Sequence, residues 1–327
     1  MQRFRALSLF QPSNFNAAIS ADNEEHVFGS FLGIPHPQAA RIVAMLGFDF
    51  IFVDTLHVPT NPETLVTIIQ TITLASEGKT CALVRIPSPD SDLLPYALDA
   101  GASAIVFPQI DTPAQAAAAV YKVRYAYGGG TRSLSPLALI DGITNIAPEG
   151  WTSETIADRN ISVICQIESA LGLENIDAIT KTPGVNALML GLTDLKGSLG
   201  LPIRNPKGQG DHPKLSAAVA EIVATADKYG MPLMMPAFQQ NPNMEFLRNF
   251  KIILTSIDTL AVVKTHRQEL ARMKEGLSVH QNGHKNGMQN GYGNAVQNGY
   301  QNGYQNGQNG HQNGHQNGHQ NGHQNGH

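Results

Sequence analysis

The sequence predicts a (β/α)8 barrel of the TIM type followed by a low-complexity tail, and three observations lead there. Short apolar runs alternate with helical stretches eight times between residues 26 and 277. The runs are apolar almost throughout (FDFIFVD, CALVRIP, AIVFPQI, SVICQIE, NALMLGL), as parallel strands buried on both faces should be. No Gly-rich phosphate loop follows the first run, so a doubly wound open sheet fits less well.

Strands are expected over Val27–Gly33, Phe48–Thr55, Cys81–Pro87, Ala104–Ile110, Ile161–Glu168, Ala187–Asp194, Met231–Ala237 and Ile252–Asp258. Helices are expected over Pro37–Leu46, Pro62–Ala75, Leu93–Asp99, Pro113–Ala126, Leu171–Thr180, Leu215–Lys228, Asn243–Asn249 and Leu260–Glu275. Asn61-Pro62 and Thr112-Pro113 each set a capping side chain ahead of a proline, a helix-start signal. Two long segments, Gly128–Asn160 and Gly197–Lys214, break the rhythm. Segments of this length usually form lids or oligomer contacts, and the second directly follows a strand end.

Residues 1–25 read as an N-terminal extension, 26–277 as the barrel and 278–327 as a tail of Gln-Asn-Gly repeats with His or Tyr. The tail has almost no aliphatic side chains to bury, so burial cannot offset the entropy of ordering it, and disorder is expected. His311, His315, His319, His323 and His327 recur every fourth residue; loose Zn²⁺ or Ni²⁺ binding is open, and a solvated tail is the simpler reading.

Composition narrows the function. The chain is 42% hydrophobic and 15% charged, with a formal net charge of -4. Such a surface offers no electrostatic footprint for nucleic acid or an anionic membrane. No apolar run approaches the ~20 residues of a membrane span, and the N-terminus lacks the apolar core of a secretory signal. The expected setting is the cytoplasm and the expected partner a small molecule. Cys81 and Cys165, each inside an apolar run, read as reduced core thiols.

In such a barrel, polar residues at the C-terminal strand ends line the active-site mouth. Four otherwise apolar strands end there in ionisable residues: Asp54 with His57, Arg85, Glu168 and Asp194. Two nearby carboxylates repel, and a hard divalent cation relieves the repulsion, so Glu168 and Asp194 are candidate ligands. Without histidine or cysteine ligands, Mg²⁺ fits first, with Mn²⁺ or Co²⁺ as alternatives to it and Zn²⁺ less suited. Alternatively, one of the two carboxylates caps the helix that follows. Arg85 reads either as a donor to an enolate oxygen or as the partner of a barrel carboxylate. His57 reads as a general base whose imidazole Asp54 orients, or as a structural histidine. Gln166 shares the inward side of its strand with Glu168 and could hydrogen-bond substrate or a cation-bound water. The backbone N–H groups of Gly191, Leu192 and Thr193 could hold a substrate carboxylate. His26, His36, His212 and His266 read as surface or supporting residues.

These residues form a recognisable set. Asp54-Thr55-Leu56-His57, Val84-Arg85-Ile86-Pro87, Leu98–Ala102, Phe107-Pro108, Gln166-Ile167-Glu168 with Gly172-Leu173 and Asn175-Ile176, and Gly191–Leu195 together resemble the HpcH/HpaI aldolase and citrate-lyase-β family of the phosphoenolpyruvate/pyruvate barrels. The resemblance spans about Val27 to Leu277. It implies a pyruvate-type enolate made from a 2-oxo acid, with Glu168 and Asp194 as metal ligands, Arg85 polarising the carbonyl, and His57 with Asp54 moving the proton. It also implies a homo-oligomer, a hexamer built as a trimer of dimers that exchange their last helix. In two places the chain departs from the family. Leu56 stands where the family aldolases have glutamate, and Leu192 where the family has proline. The apolar Ser133–Pro136 stretch joins Leu56 in favouring a bulkier or less polar acceptor. Three functions follow for comparison: a 2-oxo-acid aldolase, an oxaloacetate decarboxylase that uses its enolate for carbon–carbon bond formation, and a catalytically inactive barrel acting as a binding protein. Loss of catalysis would be expected to erase at least one of these charged residues, which speaks against the third.

Overall fold

The eight apolar runs form one parallel sheet that closes on itself, strand 1 beside strand 8, in a computed structural model that describes residues 14–20, 25–136, 147–205, 210–238 and 245–283. The strands are β1 (Val27–Leu32), β2 (Phe50–Asp54), β3 (Cys81–Arg85), β4 (Ala104–Phe107), β5 (Ser162–Ile167), β6 (Ala187–Leu190), β7 (Leu233–Pro236) and β8 (Ile252–Ile257). All eight expected strands are present, each trimmed at its C-terminal end. Asp54 and Arg85 are the last residues of β2 and β3, Glu168 directly follows β5, and Asp194 lies beyond the end of β6.

Along the strands, buried side chains alternate between two cores. Phe50, Phe52, Leu83, Val106, Ile164, Met189, Met234, Ile252 and Leu254 fill the barrel interior. Their neighbours Ile51, Val53, Val84, Ile105, Val163, Leu188 and Ile253 face the helical layer outside. The interior is a packed solid, and Gly29 marks how tightly: it pairs with Phe50 across β1 and β2, where a Cβ would lie 2.3 Å from the Phe50 ring.

The helices are α1 (Phe15–Ala18), α2 (Pro37–Ala44), α3 (Pro62–Ala75), α4 (Leu93–Asp99), α5 (Pro113–Val123), α6 (Ser153–Asn160), α7 (Ala170–Glu174), α8 (Ile176–Thr180), α9 (Leu192–Ser198), α10 (Pro213–Tyr229) and α11 (Asp258–Gly283). Four start with a capping side chain followed by proline. Asn61 accepts from the Thr64 N–H, Thr112 forms a reciprocal capping box with Gln115, and the Nδ1 atoms of His36 and His212 accept from the Gln38 and Lys214 N–H groups. Two of the histidines read as supporting residues are therefore helix caps.

The structure corrects several expectations. The segment over Gly128–Asn160 contains a helix, α6, and the segment expected as helix over Asn243–Asn249 is a 3-10 turn over Glu245–Asn249. Among the described residues before Val27, one short helix packs onto the barrel. Phe15 and Ile19 are buried in the interior core, and the Phe15 ring meets Phe50 edge-on at 5.8 Å, so α1 plugs the barrel at the N-terminal ends of its strands. On α11, Leu270, Met273 and Leu277 are exposed. Helix α11 takes in residues 278–283, the start of the tail expected to be disordered, including its first Gln-Asn-Gly repeat; the later repeats and the tail histidines His311, His315, His319, His323 and His327, expected to be open to loose metal binding, lie outside the described residues. Among the described residues, no helix is long and apolar enough to cross a membrane.

Candidate active site

Strand register builds the site from β2 and β3. Asp54 and Arg85 are paired residues of adjacent strands, and both side chains point inward by alternation. Arg85 grips Asp54 with a two-pronged fork, Nε to Oδ1 and Nη2 to Oδ2, each 2.7 Å. Both residues are buried, and the guanidinium lies 5.5 Å from the centroid of the Phe52 ring. A fork–carboxylate pair of this geometry holds a buried charge in a single orientation.

The network continues across the mouth into β5. Arg85 Nη1 donates to Gln166 Oε1 at 3.4 Å, and Gln166 Nε2 donates to Glu168 Oε2. The other Glu168 oxygen accepts the Gln109 backbone N–H at 2.8 Å, in the turn after β4. Asp54, Arg85, Gln166 and Glu168 thus form one continuous chain of hydrogen bonds, all buried, over an apolar barrel. Burial pushes the Glu168 carboxyl above its usual range. The Gln109 N–H opposes this, the nearby Asp194 charge adds to it, and Gln166 and Arg85 pull it back.

Asp194 does not close a strand. β6 ends at Leu190, and Asp194 lies exposed in the first turn of α9. An acidic residue suits that position, because the helix N-terminus carries partial positive charge. Its charge still acts on Glu168, so the two carboxylates share one field. Each Glu168 oxygen spends one lone pair on an N–H donor and keeps another. Among the described residues no group of three or more His, Cys, Asp or Glu side chains could surround an ion. A donor set of two carboxylates, one desolvated and under the other's charge, fits a hard divalent cation completed by water and substrate.

Two further expectations change. Asp54 does not orient the His57 imidazole. Its oxygens take the Arg85 fork, and they also accept the backbone N–H groups of Leu56 at 3.0 Å and His57 at 3.2 Å. The register sets Arg85 directly beside Asp54, while the His57 side chain is exposed in the turn after β2. Gln166 is buried and joins Arg85 to Glu168 through one bond at Oε1 and one at Nε2, which leaves a second Nε2 N–H for a substrate or water contact. Gly191 cannot offer its N–H to a substrate carboxylate, because it donates to Ile167 O at 3.0 Å; Leu192 and Thr193 open α9.

Gly191 contributes space instead. A Cβ there would lie 2.5 Å from Glu168 Cβ and Oε2 and 3.0 Å from Gln166 Nε2. Gly191→Ala is therefore expected to displace the Glu168 carboxylate with the fold intact. Activity should fall about 100-fold, the usual cost of misplacing a reacting group by ~1 Å. A kinetic comparison at matched circular dichroism checks this, and parental activity would contradict it. Sequence reasoning missed Gln109, because a backbone donor leaves no side-chain signature; the only cue is its place just after Phe107-Pro108.

A family model, HpcH/HpaI aldolase/citrate lyase, matches residues 28–259. The chain belongs to this family. It is 30% identical over 251 residues to a hydroxypyruvate/pyruvate aldolase of Paraburkholderia phytofirmans, covering 76% of this chain and 93% of that one. It is 29% identical to a 5-keto-4-deoxy-D-glucarate aldolase of Klebsiella pneumoniae, over 68% of this chain and 80% of that one. Among solved structures, macrophomate synthase superposes with a TM-score of 0.76 at 26% identity, covering 84% and 93% of the two chains. A HpcH/HpaI family protein of Burkholderia cenocepacia gives 0.70 at 27%, covering 80% and 100%. The protein is a carbon–carbon lyase of the aldolase type, in a family that generally depends on a divalent metal.

Proposed function

We propose that the chain cleaves or joins a carbon–carbon bond next to the carbonyl of a small 2-oxo acid, through a pyruvate-type enolate. The observation that carries this reading is the buried chain from Asp54 through Arg85 and Gln166 to Glu168. It places a fixed cation and a fixed anion side by side at the mouth of an apolar barrel.

Glu168 and Asp194 would hold the divalent cation, Mg²⁺ first, with Mn²⁺ or Co²⁺ as substitutes. Bound there, it would supply Lewis-acid polarisation of the 2-oxo group. Arg85 is locked on its Nε/Nη2 edge by Asp54, so it presents its Nη1 side to developing negative charge without having to reorganise. Asp54 holds that guanidinium in place and compensates its charge. His57, exposed in the turn after β2, is the chain's candidate for moving the proton on the acceptor oxygen. The apolar lining below excludes water from the reacting carbons.

A second reading, oxaloacetate decarboxylation coupled to carbon–carbon bond formation, draws on Leu56. It is 36% exposed at this mouth, where an acidic residue would otherwise place a polar acceptor. The fold likeness to macrophomate synthase supports that protein as the specialised analogue. The further proposals concern the setting: a homo-oligomer, specifically a trimer of dimers, working in the cytoplasm.

Pyruvate release decides between the readings. With Mg²⁺ or Mn²⁺, 4-hydroxy-2-oxo acids should release pyruvate faster than oxaloacetate does, and EDTA should abolish release. The opposite substrate order favours the second reading. No turnover of either substrate, with no effect of EDTA, sinks both and leaves the binding-protein alternative.

A further inference from the structure

Two non-glycine residues among those described have a left-handed backbone, Glu77 at φ 55° and Gln109 at φ 53°. Glu77 directly follows the C-cap of α3, where chains commonly turn left-handed. Gln109 has no such reason, since no helix ends there and α5 begins only at Pro113. Glutamine has neither glycine's missing Cβ nor the short polar side chain that eases this conformation for asparagine. Strain of this kind persists where the surroundings over-determine it, and it clusters at functional sites.

What the conformation achieves here is specific. It turns the Gln109 N–H onto Glu168 Oε1 at 2.8 Å, and the Gln109 side chain is left exposed. The turn is tied to β5 and its sequel on both sides. Ile110 N–H donates to Gln166 O at 3.2 Å, the Ser169 hydroxyl donates to the Asp111 carboxylate, and Asn175 Nδ2 donates to Asp111 O at 2.9 Å. These bonds bracket Glu168 and hold the turn against relaxation.

We propose that Gln109 is a positioning residue whose left-handed main chain, and not its side chain, fixes the orientation in which Glu168 receives a divalent cation. The inference rests on reading Glu168 as a cation ligand. With Oε1 tied by Gln109 and Oε2 by Gln166, the carboxylate cannot spin about its terminal torsion, and the free lone pairs keep one direction. Losing one tie frees that rotation, so cation binding must then also order the ligand.

The test is calorimetric titration of Mn²⁺ into the full chain and into Gln109→Gly, Gln109→Asn, Gln109→Val and Glu168→Ala. Glycine and asparagine enter the left-handed region readily, whereas β-branched valine does not. Gln109→Gly and Gln109→Asn should bind Mn²⁺ within about twofold of the parent or tighter, and Gln109→Val about tenfold or more weaker at unchanged circular dichroism. Weak binding by Gln109→Gly beside parental binding by Gln109→Asn would assign the effect to the side-chain amide and overturn the proposal, even if the valine variant failed to fold. Parental binding by folded Gln109→Val, with loss in Glu168→Ala, overturns the role of Gln109 alone. Parental binding by Glu168→Ala instead overturns the ligand reading beneath it.

Discussion

Arg85→Met is expected to cost about 3–5 kcal/mol of folding stability and nearly all activity, because it leaves the Asp54 carboxylate buried without its counter-charge. The parent pair is a fork with both bonds at 2.7 Å, and the carboxylate side chain is fully buried. Two backbone N–H groups, from Leu56 and His57, remain as its only other donors among the described residues. Asp54→Asn combined with Arg85→Met should recover much of the stability, since the uncompensated charge is gone, but none of the activity. That split separates the structural from the chemical part of Arg85. Arg85→Lys keeps a positive charge but cannot reproduce the fork or reach Gln166 in the same plane. It should lose about 10²–10³ in kcat, comparable to removing one donor from a developing oxyanion. Urea unfolding and pyruvate release measure the two quantities. A double variant no more stable than Arg85→Met, or an Arg85→Lys enzyme at parental activity, would refute the account.

Glu168→Gln is expected to abolish cation-dependent turnover with the barrel left standing. The substitution keeps shape and volume and removes one negative charge from a pair that shares a field with Asp194. Mn²⁺ affinity should fall about 100-fold or more, and kcat by at least a similar factor. The metal-free protein should melt within about 4 °C of the parent, roughly 1 kcal/mol in a domain of this size. The reason is a near-cancellation. Burial already opposes the charged carboxylate, so neutralising it relieves a cost, while one of the two donors, Gln109 N–H or Gln166 Nε2, loses its best acceptor. Calorimetric titration and a thermal melt of the same samples check both halves. Parental Mn²⁺ affinity in Glu168→Gln would remove the basis for the metal site.

Much of this molecule is legible in its sequence because backbone alternation is a short-range rule. Side chains two apart in a strand face the same way, so Phe50, Phe52 and Asp54 had to share the interior, as did Gln166 and Glu168. Nearly continuous apolar runs required burial on both faces, and eight of them with intervening helices required a closed barrel. The same rule placed charged residues at the mouth. Proline after Asn61 and Thr112 fixed where two helices begin.

Partnership is another matter, since it depends on register and on turn conformation, which are set across the chain. Asp54 and His57 are neighbours in sequence, yet the β2–β3 register delivers Asp54 to Arg85, 31 residues away. Asp194 reads as a strand end because Ala187–Leu190 is so apolar, but the chain turns at Gly191 and carries it into a helix. Gly191 looks like a backbone donor in one dimension; in three it is the clearance that lets the Glu168 side chain fit. No sequence rule puts a glutamine in the left-handed region. Only the packed β4–α5 turn, tied down by Ile110, Asp111 and Ser169, could hold Gln109 there. Local alternation and capping energies therefore decided the barrel and the list of charged residues at its mouth. Long-range packing alone decided which of those residues hold one another.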